Sequence, residues 1–153
     1  MPLTPFLFEY LISGFFATVV MTLSVFFLRN LLGIHLNIPV MLGSMILPGA
    51  AEQWHRRIGM TSHLLIGSVL GLIFGLLVYN KILFYEFTLL NCIGFAILSW
   101  LVMMAVLMPI SGRGLWGFKQ HEHVWVASLA GHVIYGGALY TFHYLLFIVP
   151  YAQ

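Results

Sequence analysis

His63-Leu-Leu-Ile-Gly67-Ser-Val-Leu70 is echoed sixty-nine positions later as His132-Val-Ile-Tyr-Gly136-Gly-Ala-Leu139. Each copy lies in the opening part of a long apolar run. A histidine in hydrocarbon needs a partner or a task, because ionisable groups are costly there. Two of them in matching places point to a duplicated helical hairpin with a shared polar site.

Composition sets the surroundings of that pattern. The chain has 153 residues, 61% of them apolar and 7% charged, and its mean hydropathy is +1.02. An ordinary soluble domain is about 25% charged, so this chain cannot cover itself with polar surface. The reading is one integral membrane domain over residues 1–153. The formal charge is +2, from six scattered Lys and Arg residues. No basic patch suggests a nucleic-acid partner. Cys92 is the single cysteine; it excludes an internal disulfide and reads as a small apolar residue within a span.

A spanning helix needs about 20 mostly apolar residues. Four runs qualify: 5–28, 60–79, 88–110 and 125–148. The first has no Lys or Arg before it and ends at Arg29, the reverse of a signal peptide's charge order. Four spans put Arg29, Arg56, Arg57, Arg113 and Lys119 on one side and only Lys81 on the other. The positive-inside rule then places both termini outside and the two larger loops in the cytoplasm of a bacterial inner membrane. Residues 38–47 are apolar but too short to cross. Asn37 as N-cap, Pro39 in the first turn and Pro48-Gly49 at the end mark them as a short interfacial helix in the first cytoplasmic loop. The expected fold is an all-α membrane protein, a four-transmembrane-helix bundle of two parallel helical-hairpin repeats.

Steps of four residues drift only about 40° around a helix, so His63, Gly67, Gly71 and Gly75 form one stripe. Ser128, His132 and Gly136 form another, and Gly14, Thr18 and Thr22 a third. Small residues in such stripes let helix backbones approach closely. Gly14, Thr18, Gly67, Gly71, Gly75, Ser128 and Gly136 are therefore expected packing residues.

The chemistry-bearing candidates are histidines. His63 and His132 should lie at similar depth and could hold a haem or other tetrapyrrole, since neutral imidazole ligates such metals. The plainer reading is that each hydrogen-bonds a neighbouring helix. His143 lies eleven residues after His132 on nearly the same face, at the expected depth of Glu9, so the two are a candidate outer polar pair. Independent snorkelling to the interface is the plainer account. His121-Glu122-His123 has a chelating look, with His121 and His123 as candidate metal ligands. His35 and His55 read as cytoplasmic-loop residues, solvated or facing lipid headgroups. Met21, Met103, Met104 and Met108 form no regular ladder and read as core filler. The chain has no Asp, and no His-Glu-x-x-His, Gly-x-Ser-x-Gly or phosphate loop. Independent catalysis is not expected.

Trp100-Leu-Val-Met-Met104, Met108-Pro109-Ile-Ser-Gly112-Arg-Gly114-Leu-Trp-Gly117 and Gly131-His132-Val-Ile-Tyr135-Gly136 resemble a family of small bacterial four-span inner-membrane proteins, a domain of unknown function. Met41-Leu42-Gly43 and His63-Leu-Leu-Ile-Gly67 extend the resemblance to the first half. It implies a four-helix membrane fold and no activity, cofactor or catalytic residue. The His121-Glu122-His123 segment falls outside the pattern.

Three functions are consistent with these residues. The leading expectation is a non-catalytic accessory or scaffold subunit of a larger membrane complex of respiratory or photosynthetic type. Its partners would be the lipid bilayer and other membrane subunits, or further copies of the chain. The first alternative is a haem- or tetrapyrrole-binding electron-transfer protein using His63 and His132. The second is a small-solute transporter or channel.

Overall fold

The computed structural model describes residues 3–32, 37–119 and 122–149. The chain is helical, with no strand among the described residues. The elements are α1 (Leu3–Leu32), α2 (Ile38–Ile46), α3 (Glu52–Tyr79), α4 (Leu89–Val102), α5 (Met108–Ile110) and α6 (Val124–His143). A π-helical turn, Met103–Leu107, joins α4 to α5, and a second, Tyr144–Ile148, continues α6.

Among the described residues, three stretches are long and apolar enough to cross a membrane: Phe6–Leu28, Glu52–Tyr79 and Leu89–Ile110. The fourth long helix, α6, is not among them. Its apolar run is interrupted by His132, Tyr135, Tyr140 and His143. Outward faces are oily throughout, with Phe8, Leu23, Phe27, Leu65, Leu90 and Val102 all exposed, as a helical membrane protein requires.

Local chemistry explains the helix ends. Asn37 caps α2, its Oδ1 accepting the Val40 N–H at 3.3 Å, with Pro39 in the first turn. Thr88 caps α4 through the Asn91 N–H at 3.2 Å. The second apolar helix begins two turns earlier than the expected residue 60. Glu52 and Arg56 stabilise that exposed start as an i,i+4 pair at 2.7 Å. His55 therefore sits within α3 rather than in a loop, and its Nε2 is 3.0 Å from the Leu47 carbonyl oxygen. The first π turn precedes Pro109, which has no N–H and crowds the carbonyl four residues back. Widening the register there lets the Met108 N–H reach the Met103 carbonyl instead.

Helices α1, α3, α4 and α6 form a four-sided bundle in which α1 packs on α3 and on α6, and α6 packs on α4. Tyr10 meets Gly75, Gly14 meets Gly71 and Thr18 meets Gly67. The numbers run in opposite directions, so α1 and α3 are antiparallel. A Cβ on Gly14 would stand 2.7 Å from the Gly67 carbonyl oxygen. On the other hairpin, a Cβ on Gly136 would stand 2.8 Å from both the Cys92 carbonyl oxygen and the Ile93 Cα. Gly67 and Gly136 thus mark the crossing points of two similarly built antiparallel pairs. The core between them holds Ala17, Met21, Phe74, Phe95, Ala96, Met104 and Leu139. Short α2 lies along the start of α3, where Gly43 faces the His55 backbone and Gly59 faces the Pro39 carbonyl.

Neighbouring glycines test this packing. Gly136→Ala is expected to lower stability by about 1–3 kcal/mol, because the obstructing atoms are backbone and cannot rotate away. Gly137 has open space around its Cβ position. Gly137→Ala is expected to leave stability unchanged or raise it by about 0.5–1 kcal/mol through helix propensity. Thermal unfolding of both variants in one detergent provides the comparison.

Candidate functional site

Three sides of the bundle are closed by helix contacts, and the fourth, between α3 and α4, is a groove. Near the Tyr79–Leu89 connection the two helices are bridged by rings, Phe74 against Phe84 at 5.4 Å and against Phe95 at 5.2 Å. Along the rest of that side lies a cavity of about 380 Å3.

Its walls follow from helical spacing. Ile66, Leu70, Ile73 and Leu77 recur at steps of four, three and four along α3, which lines them up on one face. Phe95, Leu98 and Val102 of α4 form the facing wall, continued by Met103, Leu107 and Met108. Ile38, Met41, Leu42 and Met45 of α2 add a further wall. Thr18 and Met21 of α1 and Ser128, His132 and Tyr135 of α6 also line it. From His63 to Leu77 the α3 wall runs for about 21 Å at 1.5 Å per residue.

The groove's polar atoms come mainly from α6 and His63. The Tyr135 hydroxyl donates to the Gly67 carbonyl at 2.7 Å, tying α6 to α3 across the bundle. His132 Nδ1 lies 2.8 Å from the Ser128 carbonyl oxygen. A carbonyl only accepts, so in the neutral ring Nδ1 carries the proton and Nε2 keeps its lone pair. Ser128 Oγ and His63 Nε2 are both buried without a hydrogen-bond partner. Trp100 Nε1 and His143 Nδ1 are likewise unpartnered, but for a buried hydroxyl the state is unusual here. Ser13, Thr18, Thr22, Ser68 and Ser99 each donate to a backbone carbonyl one turn back.

Family models, curated proteins and solved structures gave no match to this chain. The chemistry of the site must therefore be read from its own residues. Among the described residues, no Asp, Glu, Lys or Arg lines the groove and no nucleophile–base pair is formed around it. The groove offers oily walls, one unpaired hydroxyl, that of Ser128, and two imidazoles. It suits binding of a neutral molecule rather than acid–base chemistry on a charged one.

The candidate residues from the sequence fall in several places. His63 and His132 do line one cavity. Gly14, Thr18, Gly67, Gly71 and Gly75 lie at the α1–α3 crossing, and Gly136 lies at the α4–α6 crossing. Ser128, read from sequence as a packing residue, is also a groove residue with an unpaired hydroxyl. Glu9 and His143 are both buried, but no ion pair joins them among the described residues. The His143 ring stacks on Tyr10 at 4.2 Å and packs against Phe87 at 4.4 Å.

His123 and Glu122 lie 3.5 Å apart on the surface, while His35 and His121 are outside the described residues. No cluster of three metal-binding side chains occurs among the described residues. Outside the spans, burial lowers the Arg113 guanidinium pKa from its ordinary value.

Sequence reasoning missed the groove itself. The α3 stripe was legible as apolar spacing, but nothing local says that one side of a bundle stays unpaired. Nor did it assign the methionines. Met21, Met103 and Met108 read as filler, yet all three line the groove, where their flexible side chains make an adaptable wall.

Proposed function

We propose that this chain is a four-span bacterial inner-membrane protein whose α3–α4 groove holds the chain of a lipid-soluble molecule. The observation that carries the reading is the groove's form. It is long, apolar and open at the side of the bundle, where lipid tails lie, with Ile66, Ile73, Leu98 and Val102 still partly exposed along it. A chain entering laterally from the bilayer matches that shape; a water-soluble substrate does not. The orientation with both termini outside rests on the distribution of Lys and Arg described above.

Mild solubilisation followed by lipid analysis of the purified protein tests this reading. One chain-bearing molecule is expected to co-purify at a fixed ratio to protein. Leu98→Trp places a large ring in the groove and is expected to displace it. Equal recovery of that molecule from wild type and from Leu98→Trp would overturn the assignment.

A tetrapyrrole site is the second reading. Metal-bound histidines commonly donate their other ring N–H to a carbonyl, and His132 makes that bond to Ser128. An optical spectrum of protein purified from a cofactor-competent host decides it. A Soret band lost in His132→Leu supports the haem reading, and a featureless visible spectrum rejects it.

A non-catalytic place in a larger respiratory or photosynthetic assembly is compatible with either ligand. It is supported by the unpaired α3–α4 side of the bundle. Blue-native electrophoresis of solubilised membranes is expected to give a band well above the 17.3 kDa chain that contains other subunits.

A further inference from the structure

We infer that the groove recognises a neutral oxygen head group, a hydroxyl or a carbonyl borne on a long apolar chain, through Ser128, His63 and His132. The inference rests on the groove being a chain site and adds what the head of that chain must be.

The first argument is the unpaired hydroxyl. Ser128 is only 2% exposed, and its Oγ has no partner. A buried hydroxyl left without a hydrogen bond costs about 1–3 kcal/mol. Ser13, Ser68 and Ser99 avoid that cost by bonding a carbonyl one turn back, whereas the Ser128 hydroxyl stands ready for something else. The second is His63, whose buried Nε2 is also unpartnered and which lines the same cavity. The third is His132. Its Nδ1 is engaged by the Ser128 carbonyl, so in the neutral ring its Nε2 is an acceptor.

Together these residues offer a donor hydroxyl, an acceptor nitrogen and a second imidazole able to take either role. A head-group hydroxyl both donates and accepts; a carbonyl accepts only. Both are matched. An ionised phosphate or carboxylate is not, because no Lys or Arg among the described residues lines the groove and an unpaired charge in an apolar cavity is strongly disfavoured. The apolar α3 stripe lies to one side of His63 in sequence, from Ile66 to Leu77, so the site has a polar region and a chain region.

Delipidated full-length protein in detergent can be titrated with probes of matched chain length. The probes are a long-chain alcohol, a long-chain quinone, the corresponding ionised fatty acid and the alkyl phosphate. The thermal midpoint is the readout. The alcohol and the quinone are expected to bind about tenfold or more tighter than the two anions. Tighter alcohol assigns a hydroxyl head, and tighter quinone a carbonyl head; either supports the inference.

Ser128→Ala is expected to weaken the neutral probes about five- to tenfold, the loss of one hydrogen bond. The ligand-free midpoint should not fall, since the deleted hydroxyl has no partner in the fold. His63→Leu should act likewise, and His63→Gln should restore part of the binding. Ser128→Cys repeats the first test should the alanine variant fold poorly.

The inference is overturned if the anions bind as well as the neutral probes. It is also overturned if Ser128→Ala and His63→Leu bind like wild type while Leu98→Trp abolishes binding; the chain groove then stands without this head. If no probe binds the delipidated wild-type protein, the groove reading itself fails.

Discussion

Gly59→Ala is expected to push α2 off α3 and to empty the groove with it. The added Cβ falls on the Pro39 carbonyl group, with the Gly43 backbone nitrogen at 2.8 Å. Both obstacles are main chain, so no rotamer change relieves the clash. Gly43 makes the reciprocal contact against the His55 backbone, so two glycines let the helices lie in direct contact. Overpacking of this kind costs about 1–3 kcal/mol, and more where the backbone must move. Helix α2 has only 9 residues, too few to remain helical without its neighbour. Its loss removes Ile38, Met41, Leu42 and Met45 from the groove wall.

Hydrogen exchange over Ile38–Ile46 is the direct measurement. Exchange there is expected to rise sharply in Gly59→Ala while α4 and α6 keep their protection. Recovery of the chain-bearing molecule proposed for the groove is expected to fall at least tenfold. Unchanged protection of α2 would show that the contact yields more easily than its geometry implies.

The second large effect belongs to Gly71→Leu. A Cβ at Gly71 would lie 2.8 Å from the Gly14 Cα and 3.1 Å from the Gly14 nitrogen, beside the Tyr10 carbonyl. A leucine there must separate α1 from α3 along their whole crossing. That separation disturbs Thr18 against Gly67, and with it the Gly67 carbonyl that accepts the Tyr135 hydroxyl. The expected result is loss of the monodisperse folded species in detergent. Gly94→Ala is the matched control, because its Cβ would meet only the Phe84 ring at 3.7 Å. Monodisperse Gly71→Leu with a wild-type thermal midpoint would refute the close crossing.

Some of this architecture is legible residue by residue. The small-residue stripe from Gly67 to Gly75 announces a close crossing because glycine alone leaves a backbone uncovered. Asn37 and Pro39 announce the start of α2 because a cap and its first-turn proline are local chemistry. The echo of His63 in His132 suggests that both reach a common place. The Glu9–His143 pair shows where such reasoning stops. Depth along a helix can be counted from sequence, but Tyr10 took the histidine ring, and which side chain wins a neighbour depends on the helix's rotation. The early start of α3 is similar. Hydropathy ends where charges begin, whereas the backbone continues wherever packing and an ion pair support it.

The sequence by itself determined an all-helical chain whose apolar runs are long enough for a bilayer, and it determined where those helices can touch. Both follow from short-range facts, the period of a helix and the size of a side chain. Only the tertiary structure decided that α3 and α4 stay apart while the other three sides close. It also decided that α2 would add a wall to the opening and that Ser128 would be buried there with nothing to bond. A groove is a property of helices that do not meet, and the absence of a contact leaves no mark on the residues that could have made it.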